Sequence, residues 1–379
     1  MCIRDRYIII FFSFLFFLSC TETSTRTVEE IGDIKVNIDS LGKAELNVNS
    51  LRYIPLETNE QSLISNITKV MFVNRCFYIF DRVAKRVVVF SDTGKYLYHI
   101  QKIGNGPGEY IEPVDMDVAQ DGTVYIADNA TRRIIEYTHR GRSFKDFDIG
   151  FYFGGFALSK DGNFYLADIR ENGVLTISLA KFEVKTSKLT VIEAYEPALK
   201  RSIMYFSSHL FYHSYDKTYY YARFTPFVYA LNGDNVWKQI ELHTEKIPTK
   251  EQIIEWEKQK IGERFDTKGL ICGLSGCYET KKFILLVSRP VYPIYTFIET
   301  KNRKVYNFQS LGKRLSGNSG IRGVADSCFI SFCTPSQRNI FHILDECGNL
   351  SEEQKQFSEL KEDDNPILML FDFKIKPEE

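Results

Sequence analysis

EPVDMDVAQDGTVYIADNATRRIIEYTHRG, residues 112–141, is the stretch whose reading decides the fold. It reads as three short strands rich in β-branched and aromatic residues, separated by turn residues that include Asp121-Gly122. An Asp-Gly pair between apolar runs is a strong hairpin signal, because glycine supplies the positive φ that a tight turn needs. Connections this short allow only antiparallel neighbours.

Both flanking regions repeat the pattern. Upstream, ITKVMFV, CFYIFD, RVVVF and KYLYHI, between residues 67 and 100, form a four-strand meander with turns at Asn74-Arg75 and 91–94. Tyr78-Ile-Phe-Asp81 matches Tyr125-Ile-Ala-Asp128 at an offset of 47, and the same offset relates Arg86 to Arg133 and Gly94 to Gly141. Downstream, a third copy beginning at Gly155 repeats Asp-Gly at Asp161-Gly162 and ends its second run on Asp168, with Val174 in the place of Ile134. A period of 40 to 50 residues with four strands in each copy indicates propeller blades or a similar array. Carboxylates and arginines that recur in each copy (Asp81, Asp128, Asp168; Arg86, Arg133) are expected to tie turns and neighbouring blades rather than to do chemistry.

The repeat signal fades beyond the third copy, but strand patterns continue. TYYYARF and FVYAL, with an Asn232-Gly233 turn, supply a fourth blade over 207–237; FILLVSR, IYTFIET and KVYNF supply a fifth over 269–308; CFISFC and NIFHIL begin a sixth at residue 320. Residues 248–260 form the one clear helix, with a Thr249/Gln252 capping box and Ile253 and Trp256 on one face. A charged linker, 351–364, precedes the last strand, ILMLFDFK. That strand has no following partner and ELNVNSLRYIPLE (45–57) has no preceding one, so pairing the two removes both open edges. The expected fold is therefore all-β: a six-bladed β-propeller of four-stranded antiparallel blades over 45–379, closed by its N- and C-terminal strands, with one short inserted helix.

At the N-terminus, Arg4 and Arg6 precede a 12-residue apolar run, 7–18, too short to span a bilayer as a helix but suited to a signal peptide. The expectation is a signal peptide over 1–19 and a polar flexible tether over 20–44. The formal net charge of −1 gives no electrostatic reason to expect a nucleic-acid partner. Two Cys-x4-Cys spacings, Cys272/Cys277 and Cys328/Cys333, invite a metal reading, but residues five apart on a strand point to opposite faces. Buried free thiols, no metal and no resident cofactor are expected, with a disulfide of unassigned pairing as the alternative that an exported protein allows.

Several features together resemble a known family. The second repeat is similar to an NHL repeat, and Tyr-x-x-Asp followed by Arg and Val or Ile resembles YWTD-type blades. Ser19-Cys20 resembles the lipobox of bacterial lipoproteins, with Phe17 standing where an aliphatic residue is usual. Joined to IPLE, the segment GNGPGEY (104–110) and the ending NPILMLFDFK (365–374), these resemble the six-bladed β-propeller lipoproteins of Bacteroidetes. The resemblance implies the fold, a lipid on Cys20 as the only membrane attachment, and a cell-envelope location at the outer membrane. It implies no defined biochemical role.

Candidate sites lie where the repeats disagree. The glycine-rich loop 104–110 is either a compact connection between blades one and two or a ligand loop at a channel mouth, with Asn105, Glu109 and Tyr110 as contacts. It lacks the Lys-Ser/Thr of a P-loop. Before blade four, His209, Tyr212 and His213 sit among Tyr205, Phe206, Phe211 and Tyr215, a cluster suited to a core or a sugar-stacking surface. No G-x-S-x-G and no H-E-x-x-H is present. The favoured function is a monomeric, lipid-anchored binding or interaction scaffold for a glycan, peptide or envelope protein. The alternative is a metal-dependent propeller enzyme of lactonase or lyase type, with calcium held at the central channel by Asp, Glu, Asn or His from different blades.

Overall fold

The computed structural model describes residues 23–25, 34–41, 43–195, 210–214, 217–258, 269–289, 292–312, 315, 320–335 and 360–377. The expected signal peptide, Cys20, His209, Tyr205, Phe206, Tyr215, NIFHIL and most of the charged linker lie outside the described residues.

Three strands come first: β1 (Thr23–Thr25), β2 (Ile34–Asn37) and β3 (Glu45–Pro55). Blade one is β4 (Lys69–Val73), β5 (Cys76–Asp81), β6 (Arg86–Ser91) and β7 (Tyr96–Ile100). Blade two is β8 (Pro113–Val118), β9 (Val124–Asp128), β10 (Arg133–Thr138) and β11 (Ser143–Asp148). Blade three is β12 (Gly155–Leu158), β13 (Phe164–Glu171), β14 (Val174–Glu183) and β15 (Lys188–Ala194). Blade four is β16 (Phe211–His213), β17 (Thr218–Tyr221), β18 (Phe227–Asn232) and β19 (Asn235–His243). Blade five is β20 (Leu274–Glu279), β21 (Phe283–Ser288), β22 (Ile294–Glu299) and β23 (Val305–Phe308). Blade six takes β24 (Gly323–Ala325), β25 (Cys328–Cys333) and β26 (Ile367–Lys376), and its outer strand is β3. The molecule is the expected six-bladed propeller.

The two chain ends close it. β26 pairs antiparallel with β3 from Ile367↔Pro55 to Lys376↔Glu45, which satisfies both edges. Buried Asn365 fixes the head of this pairing: its amide donates to Glu57 O (2.8 Å) and Ser62 O (2.9 Å), and its Oδ1 accepts from Ile64 N (2.8 Å). On the inner side of the ring, Val70 N donates to Arg322 O at 3.1 Å. A Cβ on Gly323 would lie 2.3 Å from Val70 O, so only a residue without a side chain lets β24 come this close to β4.

Part of the stretch expected as a tether is folded. β2 adds in parallel to β19 as a fifth strand of blade four, and β1 adds in parallel to β15 of blade three. The cause lies in Ile34-Lys-Val-Asn37, whose alternation buries Ile34 and Val36 and exposes Lys35 and Asn37. Four residues of alternation within a polar stretch are a weak signal, and an open blade edge supplied the template.

Burial runs across each blade as stacked blades require. Middle strands have neighbours on both faces, so β21 (FILLVS) is buried at every position, whereas outer β11 (SFKDFD) is half-buried at most. The 47-residue offset is explained by hydrogen bonding. Asp81 accepts from Ser65 N (2.6 Å) and Ala84 N (2.9 Å); Asp128 accepts from Glu112 N (2.5 Å) and Thr131 N (3.1 Å), the same positions one blade on. Gly94 and Gly141 share positive φ, 83° and 81°. Asp168 departs from this scheme: it sits at φ 54° and binds Arg223 Nη2 (2.9 Å) and the Tyr195 hydroxyl (2.5 Å), so it ties blade three to blade four.

The inserted helix α1 (Lys250–Lys258) follows blade four. Its capping box forms, with Thr249 N donating to Gln252 Oε1 (2.8 Å) and Gln252 N to Thr249 Oγ1 (3.3 Å). Ile253 and Trp256 pack on Leu175, Phe224 and Cys272. Cys328 and Cys333 join different core clusters, as their spacing on one strand requires, and the five described cysteines are free thiols. Burial pushes the thiols of Cys272 and Cys333 up to about 12.

Candidate functional site

Strand direction alternates within a blade, so turns from first to second strand and from third to fourth share one face of the ring. Turns from second to third strand, and the connections between blades, share the other face. The loop 104–110 lies on that second face and packs into its own blades. Tyr110 is fully buried, its hydroxyl donating to Lys85 O (2.9 Å) and Ile100 O (3.2 Å). Glu109 folds back to accept from Gly106 N (2.9 Å), and a Cβ on Gly104 would lie 2.1 Å from its carboxylate. Tyr137 donates to Gly108 O (2.9 Å), and Arg133 reaches Glu109 O (3.2 Å) while pairing with Asp146 (2.8 Å). Asn105 stays exposed. These residues line neither of the two cavities on the ring axis, and the geometry is that of the compact connection.

The first face opens into the larger cavity, about 980 Å³, walled by the innermost strands and their turns. His213 and Tyr212 reach it on β16, and Lys69, Asp117, Phe72 and Tyr125 reach it from blades one and two. Tyr212 is 4% exposed, donates to Leu274 O (3.2 Å) and meets Tyr278 edge-on, so it supports the wall rather than offering a ring. Half-buried Phe72 and Tyr125 are the more accessible rings.

Acids on β8 replace a missing ladder. Innermost strands of neighbouring blades diverge too far for continuous backbone pairing, and their amides need other acceptors. Asp115 Oδ2 accepts from Phe156 N (3.4 Å) and Asp117 Oδ2 from Leu158 N (2.6 Å), both on β12. Each acid has a nitrogen partner: Lys69 Nζ lies 2.9 Å from Asp115 Oδ1, and His213 Nε2 lies 3.2 Å from Asp117 Oδ2. Burial alone would raise the Asp117 carboxyl; the charge and contact of His213, the charge of Lys69 and the Leu158 amide outweigh it and hold the group below the usual carboxylate range. The other imidazole nitrogen, Nδ1, faces Thr218 Oγ1 at 3.3 Å. Lys217 pairs with Glu279 at 3.4 Å. Sequence reading missed Lys69, Asp115 and Asp117. The available signal was Asp-Met-Asp on the first strand of a blade, a polar alternation that only a channel-facing strand explains.

No group of three or more His, Cys, Asp or Glu side chains among the described residues converges as a metal site would require. Asp115 and Asp117 spend their oxygens on amides and cations, so the donor set found here does not fit a calcium ion.

The family described as a domain of unknown function, DUF4934, matches residues 31–372. The chain belongs to the DUF4934 family. That match begins just ahead of β2 and ends within β26, so the added strand of blade four falls inside the family's span. Among solved structures, a Bacteroides fragilis protein described as exported is similar at 17% identity, with 93% of this chain and 100% of that one covered and a TM-score of 0.72. A Bacteroides vulgatus member of the DUF4221 family is similar at 11% identity, covering 89% of this chain and 100% of that one, with a TM-score of 0.53. At such identities these likenesses support the propeller fold alone. No curated protein matches the chain.

Proposed function

We propose that this DUF4934 protein is an envelope-located, lipid-anchored binding module whose ligand enters the ring axis at the face bearing the turns after β4, β8, β12 and β16. One observation carries the reading: a cavity of about 980 Å³ in which Lys69, Asp117 and Lys217 are already engaged by protein partners, while the rings of Phe72 and Tyr125 and polar turn groups remain accessible. Such a lining suits a glycan or short peptide held by stacking and hydrogen bonds. His213 is the one group suited to base catalysis, but both of its nitrogens face protein oxygens. Binding therefore fits the site better than turnover.

Titration of the protein with panels of oligosaccharides and short peptides tests this. Phe72→Ala and Tyr125→Ala should each weaken a bound ligand by about fivefold, the effect of losing one ring contact of roughly 1 kcal/mol. A ligand whose affinity neither change alters would refute the assignment. Export and the lipid are supported by the apolar run at 7–18 and by Ser19-Cys20, and the described exported state of the B. fragilis protein is in keeping with them. Intact mass of membrane-extracted protein should show an acylated Cys20; an unmodified thiol there would end that part of the proposal.

A further inference from the structure

The opposite mouth of the ring holds a second cavity, of about 640 Å³, and its charge is of one sign. Arg82 comes from the turn between β5 and β6, Arg289 follows β21, and Arg322 precedes β24, so three blades each contribute an arginine to the lining. Among the described residues no Asp or Glu lines it. Among the described residues the side chains of Arg82 and Arg289 have no carboxylate partner, whereas Lys69 and Lys217 in the other cavity do. Arg322 is held in place: its Nε donates to Ile67 O (3.2 Å) and its Nη1 to Ile321 O (3.2 Å), leaving Nη2 available. Burial lowers the tendency of Arg322 to hold its proton; Tyr278 opposes it, and the charge of Arg289 adds a smaller lowering. Like charges gathered at a partly buried mouth destabilise the empty protein unless an anion joins them. Ile67, Val83, Val287, Ile321 and Tyr295 give the wall an apolar and aromatic part, and Asn66, Thr68 and Ser275 add neutral polar groups.

We propose that this second cavity binds a small organic anion, a carboxylate or phosphate ester carried on an apolar or ring-shaped body. Guanidinium forks match both oxyanions in a bidentate manner, and the apolar wall takes the body. The site is distinct from the channel cavity on the first face, which shares with it only Tyr278 and Arg322, and it stands whether or not that cavity binds a glycan or peptide.

Calorimetric titration of the full chain with benzoate, phenyl phosphate, inorganic phosphate and neutral benzyl alcohol tests the proposal. Benzoate or phenyl phosphate should bind, whichever is tighter naming the preferred oxyanion; benzyl alcohol should not, and inorganic phosphate should bind more weakly than its phenyl ester. Arg82→Gln and Arg289→Gln, both at exposed positions and so neutral for folding, should each lower affinity about tenfold. Lys160→Gln, on the other face, should leave it unchanged. Failure of both aromatic anions to bind below about 10 mM would overturn the site. So would affinity insensitive to the two arginine changes, or affinity lost with Lys160→Gln. Equal affinity for inorganic phosphate and phenyl phosphate would overturn the apolar half of the assignment.

Discussion

Replacing Lys69 with methionine is the sharpest test of how the inner ring is held. Lys69 and Asp115 are 7% and 6% exposed, their charges lie 2.9 Å apart, and Lys69 also donates to Met116 O at 2.7 Å. Methionine keeps the apolar stem and removes the ammonium. Asp115 would then keep only amide donors, Met116 N (2.8 Å) and Phe156 N (3.4 Å), for a full negative charge. Removing one partner of a buried pair costs about 3–5 kcal/mol, because the remaining charge stays desolvated. Lys69→Met should therefore lower the urea midpoint by that equivalent. Adding Asp115→Asn removes the orphan charge and keeps one acceptor oxygen, enough for Met116 N though not also for Phe156 N, which binds the other oxygen, so the double variant should recover about 2 kcal/mol. Equilibrium denaturation read by tryptophan fluorescence and by circular dichroism measures both changes. Lys258 and Glu255, an exposed pair on α1, provide the contrast, with an expected loss of about 0.5 kcal/mol or less. If Lys69→Met costs no more than that surface pair, water in the channel already solvates Asp115 and the low-dielectric argument fails.

Deleting residues 366–379 removes β26, the partner of both β25 and β3, and should abolish the single cooperative melt; an unchanged transition would refute closure by the chain ends. Gly323→Ala places a methyl 2.3 Å from Val70 O and should destabilise the seam between blades six and one by about 1–3 kcal/mol, whereas Gly162→Ala, with open space around it but φ of 79°, should cost only the backbone strain of about 1 kcal/mol. Burial would raise Asp161, but Lys181, Ser159 and the Asn163 amide hold it at about 2. Because that value lies below the unfolded one near 3.9, its stabilisation is complete above about pH 4 and is lost as pH falls towards 2. Asp161→Asn should accordingly flatten the stability profile between about pH 4 and pH 2, and a profile parallel to that of the parent protein would show that the pair contributes nothing there.

The repeat was readable because its elements are local. Asp128 reaches amides three residues ahead and sixteen behind, all within one blade's stretch, so the requirement recurs with the repeat and leaves a pattern at Asp81. The glycine turns are local in the same sense. The cavities were less readable because each is assembled by ring closure. Arg82, Arg289 and Arg322 belong to blades one, five and six and meet only after β26 has paired with β3. Lys69 reads as one polar interruption in ITKVMFV, and nothing nearby in the sequence names Asp115 as its partner. The loop 104–110 drew attention for its glycines, yet those glycines serve close packing: Gly108 has φ 68°, and a Cβ there would meet the Phe144 ring at 2.5 Å. Distinctive composition marked a crowded place rather than an open one.

A closed ring with middle strands buried on both faces leaves chemistry only at its two mouths and its rim. The mouths are kept apart by a small set of contacts. Gly276 has no Cβ, and one there would lie 2.3 Å from the Tyr278 ring, so this ring can lie back against its own strand while its hydroxyl donates to Ile321 O at 2.8 Å. Arg322 follows directly and is anchored on Ile67 O. Blade five thus reaches across to the connection that begins blade six, and the same contact forms the floor of one cavity and the roof of the other. Among the described residues Arg322 is the one charged group lining both cavities, so an anion on one side and a ligand on the other would act on one guanidinium. Two ligands in contact with one half-buried cation would be coupled by electrostatics, with no movement of the blades required.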